Sequence, residues 1–258
     1  DEGGFCHSGF LPVVASYTLH HGEEPPVSGT NGSGTIFFSN CNMRCVYCQN
    51  YPISQLGAGR IVTLEALSKM MLSLQDRGVH NINLVTPSHF VPQILSALLL
   101  AARAGLRIPL VYNTSGYDGL NSLRLLDGVC DIYLSDFRYF HSYMALKYSG
   151  ADDYPQVARE AIKEMYRQVG DLMLSSEGIA QRGLIVRHLI LPNNIAATRE
   201  VLHYLSSEIS SHLYLSIMRQ YFPAYKALDY PELNRHISWD EHEAALDIID
   251  QIGISNGW

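Results

Sequence analysis

Three cysteines fall within a single octapeptide, Cys41-Asn42-Met43-Arg44-Cys45-Val46-Tyr47-Cys48. Thiolates bind soft metals, and a Cys-X3-Cys-X2-Cys loop offers three of them to a four-iron cubane, leaving one iron open to a ligand. Clusters that only carry electrons are normally held by four cysteines, so an open iron points to a site that binds something and acts on it. Two other readings use the same thiols. A zinc knuckle would take Cys6 or a nearby His as its fourth ligand, and a closed electron-transfer cluster would recruit Cys6. The chain has five cysteines, an odd number with three clustered, which disfavours a disulfide framework. Cys130 is expected to be a small buried hydrophobe.

The scaffold that must position this loop is legible from Gly34 onward, where short β-branched or aromatic runs alternate with stretches of helical period. Strands are expected at 35–38, 82–85, 110–112, 132–134, 184–191 and 213–218, each too short or too uniformly apolar to be one face of an amphipathic helix. Helices are expected from the Thr63 cap to Gly78, then over 88–104, 119–126, 155–174 and 198–209, and last from Ser238, which with Glu241 makes a capping box. Six βα units are too few for a closed eight-stranded barrel and enough for an open one. The fold class is therefore α/β, a partial (β/α)6 barrel over 34–258 with its active site at the C-terminal strand ends. Residues 1–33 carry Gly3, Gly4, Gly9, Pro12, Gly22, Pro25, Pro26, Gly29 and Gly32 and read as an irregular N-terminal arm. Within it His20-His21-Gly22-Glu23-Glu24 reads as a solvated loop, since adjacent histidines lack the i, i+4 spacing of a helical metal site.

The 258 residues carry 18 Lys and Arg against 25 Asp and Glu, a net charge of −7. Without a basic cluster, nucleic acid is excluded as a partner class. The longest apolar run stops at Arg103, far short of the ~20 residues a bilayer span needs. No membrane segment or signal peptide is expected, and the chain reads as cytoplasmic. It begins at Asp1 rather than Met, so further residues are expected upstream.

The three-cysteine spacing directly after the first barrel strand resembles the radical S-adenosylmethionine superfamily, from about Gly34 to the end. Cys45-Val46-Tyr47-Cys48-Gln49-Asn50 looks most like the pyruvate formate-lyase activating enzyme group and its uncharacterised relatives. The resemblance implies a [4Fe-4S] cluster on Cys41, Cys45 and Cys48, whose open iron chelates the amino and carboxylate groups of S-adenosylmethionine. It also implies a flavodoxin- or ferredoxin-type electron donor, cleavage to methionine and a 5′-deoxyadenosyl radical, and hydrogen abstraction from a substrate. Because the cofactor carries the hard chemistry, the protein's task is positioning and exclusion of water.

By the same resemblance Tyr47 holds the aromatic position whose backbone meets the adenine. The Gly-Gly-Glu that normally ends the second strand is replaced by Leu84-Val85-Thr86-Pro87, leaving Thr86 as the available acceptor. Asn113-Thr114-Ser115-Gly116 and Asp136-Phe137-Arg138 resemble the family's Asp-Thr-Asn-Gly and Asp-hydrophobic-Lys runs, which places Asn113, Ser115, Asp136 and Arg138 among the cofactor contacts. Arg138 would meet a carboxylate with a bidentate fork where Lys offers a point charge. From the residues themselves, Arg187 in an apolar strand needs an anionic or carbonyl partner, for which the cofactor carboxylate is a candidate. His188, its neighbour, should face the other way as a satisfied core histidine. Gln220 and Tyr221 follow the last strand on the same rim.

A glycyl radical activase is the first functional expectation. Gly32-Ser33-Gly34-Thr35 in place of the activases' Asp-Gly-Pro-Gly, and Asn40 in place of their Gly, depart from that pattern. A radical enzyme acting on a small molecule or a protein side chain is the second, and a non-catalytic iron–sulfur or zinc protein the third. The arm and the tyrosine-rich stretch 140–154 are placed to cover the rim. A groove for extended backbone would favour the activase, and a cavity of a few hundred Å³ sealed by these two segments the small molecule.

Overall fold

The computed structural model describes residues 4–254 and 256–257, so Gly3, and the chain start at Asp1, lie outside the described residues. The arm contributes β1 (Val13–His20) and the helical turn α1 (Pro25–Ser28). There follow β2 (Ser33–Phe38), α2 (Tyr51–Ser54), β3 (Arg60–Ile61), α3 (Leu64–Asp76), β4 (Ile82–Val85), α4 (Val91–Arg103), β5 (Leu110–Thr114) and α5 (Leu120–Leu125). The second half runs β6 (Ile132–Asp136), α6 (Ser142–Ser149), α7 (Tyr154–Val169), β7 (Met173–Leu174), β8 (Ala180–Leu189), α8 (Thr198–Glu208), β9 (Tyr214–Met218) and α9 (Trp239–Ile252).

The six expected barrel strands are β2, β4, β5, β6, β8 and β9, paired in parallel in that order. The architecture is the expected α/β one, consistent with a partial barrel. Thr63 caps α3 by accepting from Ala66 N–H, and Ser238 and Glu241 close their capping box on α9.

The arm is more regular than its glycines and prolines suggest. Those residues flank Val13–His20 without entering it, which leaves an eight-residue strand free to pair antiparallel with β2. Gly170, at φ 70°, ends α7 five residues before the expected stop, and Met173–Leu174 becomes a short strand against β8. The stretch 140–154 forms α6 and packs inward: Tyr148 and Tyr154 are fully buried and only Tyr143 stands in solvent. It is therefore a foundation under the cysteine loop rather than a cover over the rim.

Side-chain alternation sorts the sheet into two faces. Register rows place Val111, Leu134 and Ile185 on the concave face, with Asn113, Asp136 and Arg187 two residues further along the same strands. The lower residues pack with Ile132, Ala180 and Val27 from α1. The arm thus plugs the bottom of the barrel, held by Asn81 Nδ2 donating to Val27 O at 2.7 Å. Full burial of Val27 contributes about 1.5–3 kcal/mol.

Candidate functional site

The cysteine loop follows β2 and is pinned along its backbone. Arg44 N–H donates to Ser149 O and Val46 N–H to Tyr148 O, each at 2.9 Å, while Val46 O accepts from Lys226 N–H at 2.9 Å. Beneath it Tyr139 O–H donates to Tyr47 Oη at 2.6 Å and lies 2.9 Å from Ser149 Oγ, which donates to Cys45 Sγ at 3.0 Å. Cys48 Sγ sits 3.1 Å from Ser54 Oγ, and Met43 N–H donates to Cys41 Sγ at 3.4 Å. Burial and the neighbouring Cys45 push the Cys41 thiol up to about 12 and the Cys48 thiol upward as well. Without metal these sulfurs keep their protons, so metal binding must release them.

Among the described residues no three His, Cys, Asp or Glu side chains converge to hold a single metal ion. All three cysteine thiols are buried or half-buried on the loop that follows β2. Arg138 leans on it, Nη1 donating to Cys45 Sγ at 3.8 Å and Nη2 to Asp136 Oδ2 at 2.5 Å, with Nε buried and unpartnered. A cavity of about 150 Å³ beside Cys48 is lined by Tyr47, Asn50, Asp136, Arg138, Met218 and Gln220, among others. A [4Fe-4S] cluster on the three cysteines with S-adenosylmethionine beside it fits this donor set.

Most of the expected site residues meet here. Asp136, at the end of β6, takes Arg138 from its own loop and Arg187 Nε from β8 at 2.7 Å. Asn113 Oδ1 accepts from Arg187 Nη2 at 2.8 Å. Arg187 therefore finds its anionic partner inside the chain. Ser115 keeps a buried, unpartnered hydroxyl. Thr86 donates its backbone N–H to Asn113 O at 2.9 Å and, like Asn113 and Ser115, does not line the cavity beside Cys48; it sits at φ 59°, a costly conformation for a β-branched residue. Tyr221 packs into the core, its hydroxyl donating to Leu233 O, while Gln220 is exposed on the rim. His188 is held between Phe137 O and Thr198 Oγ1, and burial lowers it to about 4. Cys130 is buried with its thiol 3.2 Å from Ile132 O.

Sequence reasoning missed Glu23 and Glu24. They are not solvated: both side chains are over nine-tenths buried, 3.7 Å and 4.0 Å from the Arg187 guanidinium. Nothing in a Gly/Pro-flanked acidic pair signals that it returns to the barrel interior. The one available clue was Arg187, the cation set within the apolar run 184–191, which demanded anions. A second cavity of about 530 Å³ opens against these glutamates, between the arm, the end of β9 and α9, and shares Met218 and Gln220 with the first.

Burial raises the Glu23 carboxyl above its ordinary value, against the opposing pull of Arg187. The folded chain thus binds this proton more tightly than the unfolded one. Its contribution to stability is fully present below the ordinary carboxylate range and is lost as pH rises through the raised value. Glu23→Gln is expected to unfold at a higher temperature than wild type near about pH 8 and to lose that advantage near about pH 4. Melting curves at both pH values check this, and a pH-independent difference contradicts it.

The chain belongs to the radical SAM superfamily, whose family model matches residues 35–168. Members of that family use a [4Fe-4S] cluster and S-adenosylmethionine and need an electron donor. Over 98% of its length the chain is 28% identical to an uncharacterised protein of Methanocaldococcus jannaschii, covering 71% of that protein. Among solved structures it resembles the FeFe-hydrogenase maturase HydG of Carboxydothermus hydrogenoformans, with TM-score 0.56 and 12% identity over 86% of this chain and 51% of that one. It also resembles Streptococcus suis SuiB, solved bound to S-adenosylmethionine, with TM-score 0.54 and 12% identity over 87% of this chain and 45% of that one. The chain spans about half the length of these two, and the likeness is one of fold. No helix among the described residues is long and apolar enough to cross a membrane.

Proposed function

We propose that Cys41, Cys45 and Cys48 hold the cluster and that this chain uses it to abstract hydrogen from a small molecule. The observation that carries the reading is the pair of adjoining cavities, the smaller one against Cys48 and Arg138 and the larger one beside it. When bound, the cluster and S-adenosylmethionine supply one electron and a 5′-deoxyadenosyl radical. The chain's own residues bind and orient. Arg138, with its unpartnered Nε, holds the cofactor carboxylate and is itself aligned by Asp136. Asn113 and Ser115 offer polar groups to the ribose side, the Tyr47 backbone borders the adenine, and Thr86 contributes at most one hydroxyl. A flavodoxin- or ferredoxin-type protein in the cytoplasm supplies the electron.

The likeness of Cys45-Val46-Tyr47-Cys48-Gln49-Asn50 to the activating enzymes supports a second reading, in which the hydrogen comes from a backbone glycine of a partner enzyme. The larger cavity is bounded by the arm and α9, not by 140–154, and its size suits a small molecule. Deuterium transfer into 5′-deoxyadenosine separates the two. Label arriving from a small substrate supports the first reading, and label arriving only from a partner's glycine overturns it.

Arg138→Ala is expected to weaken S-adenosylmethionine binding by roughly tenfold to a hundredfold, because a charge-assisted pair to a carboxylate is worth on the order of 1.5–3 kcal/mol. Arg138→Lys should recover part of the loss. Titration of the reconstituted protein checks this, and unchanged affinity in both variants makes Arg138 structural.

A further inference from the structure

The concave face carries an imbalance of charge that the site described above does not use. Three carboxylates, Asp136, Glu23 and Glu24, face two guanidiniums, Arg138 and Arg187. Both arginines spend their short bonds on Asp136, at 2.5 and 2.7 Å. Arg187 gives its remaining short bond to Asn113. What reaches the glutamates is long: Arg187 lies 3.7 Å from Glu23 and 4.0 Å from Glu24, and His20 Nε2 lies 4.0 Å from Glu23 Oε1, all beyond hydrogen-bonding distance. Asn113 Nδ2 donates to Glu23 at 3.4 Å, and Glu24 Oε2 is buried with no partner at all. Such a group is costly to bury unless something completes it.

Both glutamates border the larger cavity, whose lining also carries the apolar Leu246, Ile249 and Ile254. We propose that Glu23 and Glu24 are the recognition wall for the substrate, which carries a protonated amine or guanidinium on a hydrocarbon chain. The cationic nitrogen would lie against the two carboxylates and the hydrocarbon along α9. This deepens the proposed function and rests on it, since the same cavity adjoins the cofactor pocket. An anion would meet two uncompensated carboxylates. A bare metal ion lacks a ligand set, because no third His, Cys, Asp or Glu among the described residues converges with the pair. Arg219 and His242, the other charged or ionisable residues on the lining, leave the acidic wall intact, with Arg219 exposed at the rim.

The test uses the cluster-reconstituted protein with S-adenosylmethionine, under exclusion of oxygen. Binding is read by ligand-observed NMR for agmatine and n-butylamine, against n-butanol and butyrate as uncharged and anionic counterparts. The two cations are expected to bind and the counterparts not to. Glu24→Gln should weaken cation binding about tenfold or more, Glu23→Gln likewise, and Glu24→Asp by less. Circular dichroism confirms that each variant is folded, and the wild-type ligand series stands even where a variant is not.

Equal binding of cation and n-butanol, no binding of either cation, or unchanged cation affinity in a folded Glu24→Gln protein overturns the proposal. So does a Glu24→Gln protein that loses affinity for S-adenosylmethionine but not for the amines, since the pair would then serve the cofactor. Cleavage of S-adenosylmethionine, measured on the same samples, keeps the two readings apart. Cation binding without cleavage in wild type overturns the radical reading alone, and cleavage without cation binding overturns the acidic wall alone.

Discussion

Cys41→Ala, Cys45→Ala and Cys48→Ala are each expected to abolish reductive cleavage of S-adenosylmethionine, measured as 5′-deoxyadenosine formed after reduction. Each removes one of three thiolates, and a cubane with one iron already open has no spare protein ligand to lose. Cys45 should be the most damaging to iron retention, because its sulfur alone takes contacts from both Ser149 and Arg138. Cys130→Ala provides the control: its thiol lies among core residues, 3.2 Å from Ile132 O, and touches none of the other cysteines. It should keep its cleavage activity at a stability cost of about 1 kcal/mol. Full cleavage by any of the three loop variants, with iron content unchanged, removes the cluster from this loop.

The second large effect is on stability. Arg187 is the one guanidinium that approaches Asp136, Glu23 and Glu24 together, and its side chain is 15% exposed. Arg187→Ala leaves three carboxylates facing one another with only Arg138 nearby, and breaking a buried ionic network this way costs about 3–5 kcal/mol. Thermal unfolding should fall by roughly 6–20 °C for a domain of this size. Arg187→Lys should recover only part, since an ammonium cannot reproduce the fork that reaches Asp136 and Asn113 together. A melting temperature within about 2 °C of wild type in the alanine variant means that the carboxylates are neutral or solvated.

The barrel was legible because its strands are buried on both faces and read as short apolar runs, which 110–112 and 132–134 show without ambiguity. The cysteine loop was legible because its ligands are local in sequence. Asp136 and Arg138 were equally so, being two residues apart at a strand end. What stayed hidden depends on contacts distant along the chain. Strand β1 exists because β2 offers it an edge, and its own residues carry only weak alternation. Helix α6 escaped notice because its tyrosines distribute around the helix rather than along one stripe. Arg187 announced that it needed an anion, but neither its register opposite Asp136 nor the return of Glu23 and Glu24 could be read from spacing.

The plug formed by the arm has a consequence for how the chain is made. Val27 and the glutamates beside it leave the ribosome before any barrel strand, whereas their partners Ile185 and Arg187 emerge only with β8, after four of the six barrel strands. Val27 meets Val111, Ile132 and Leu134 once β5 and β6 have formed, but the acidic pair waits for Arg187 on β8. These contacts raise the contact order and slow the final step of folding. The nascent barrel can assemble outward from β2 to β6 on neighbouring contacts, but its floor is completed and its acidic wall meets Arg187 only when β8 is added, with α8, β9 and α9 still to follow.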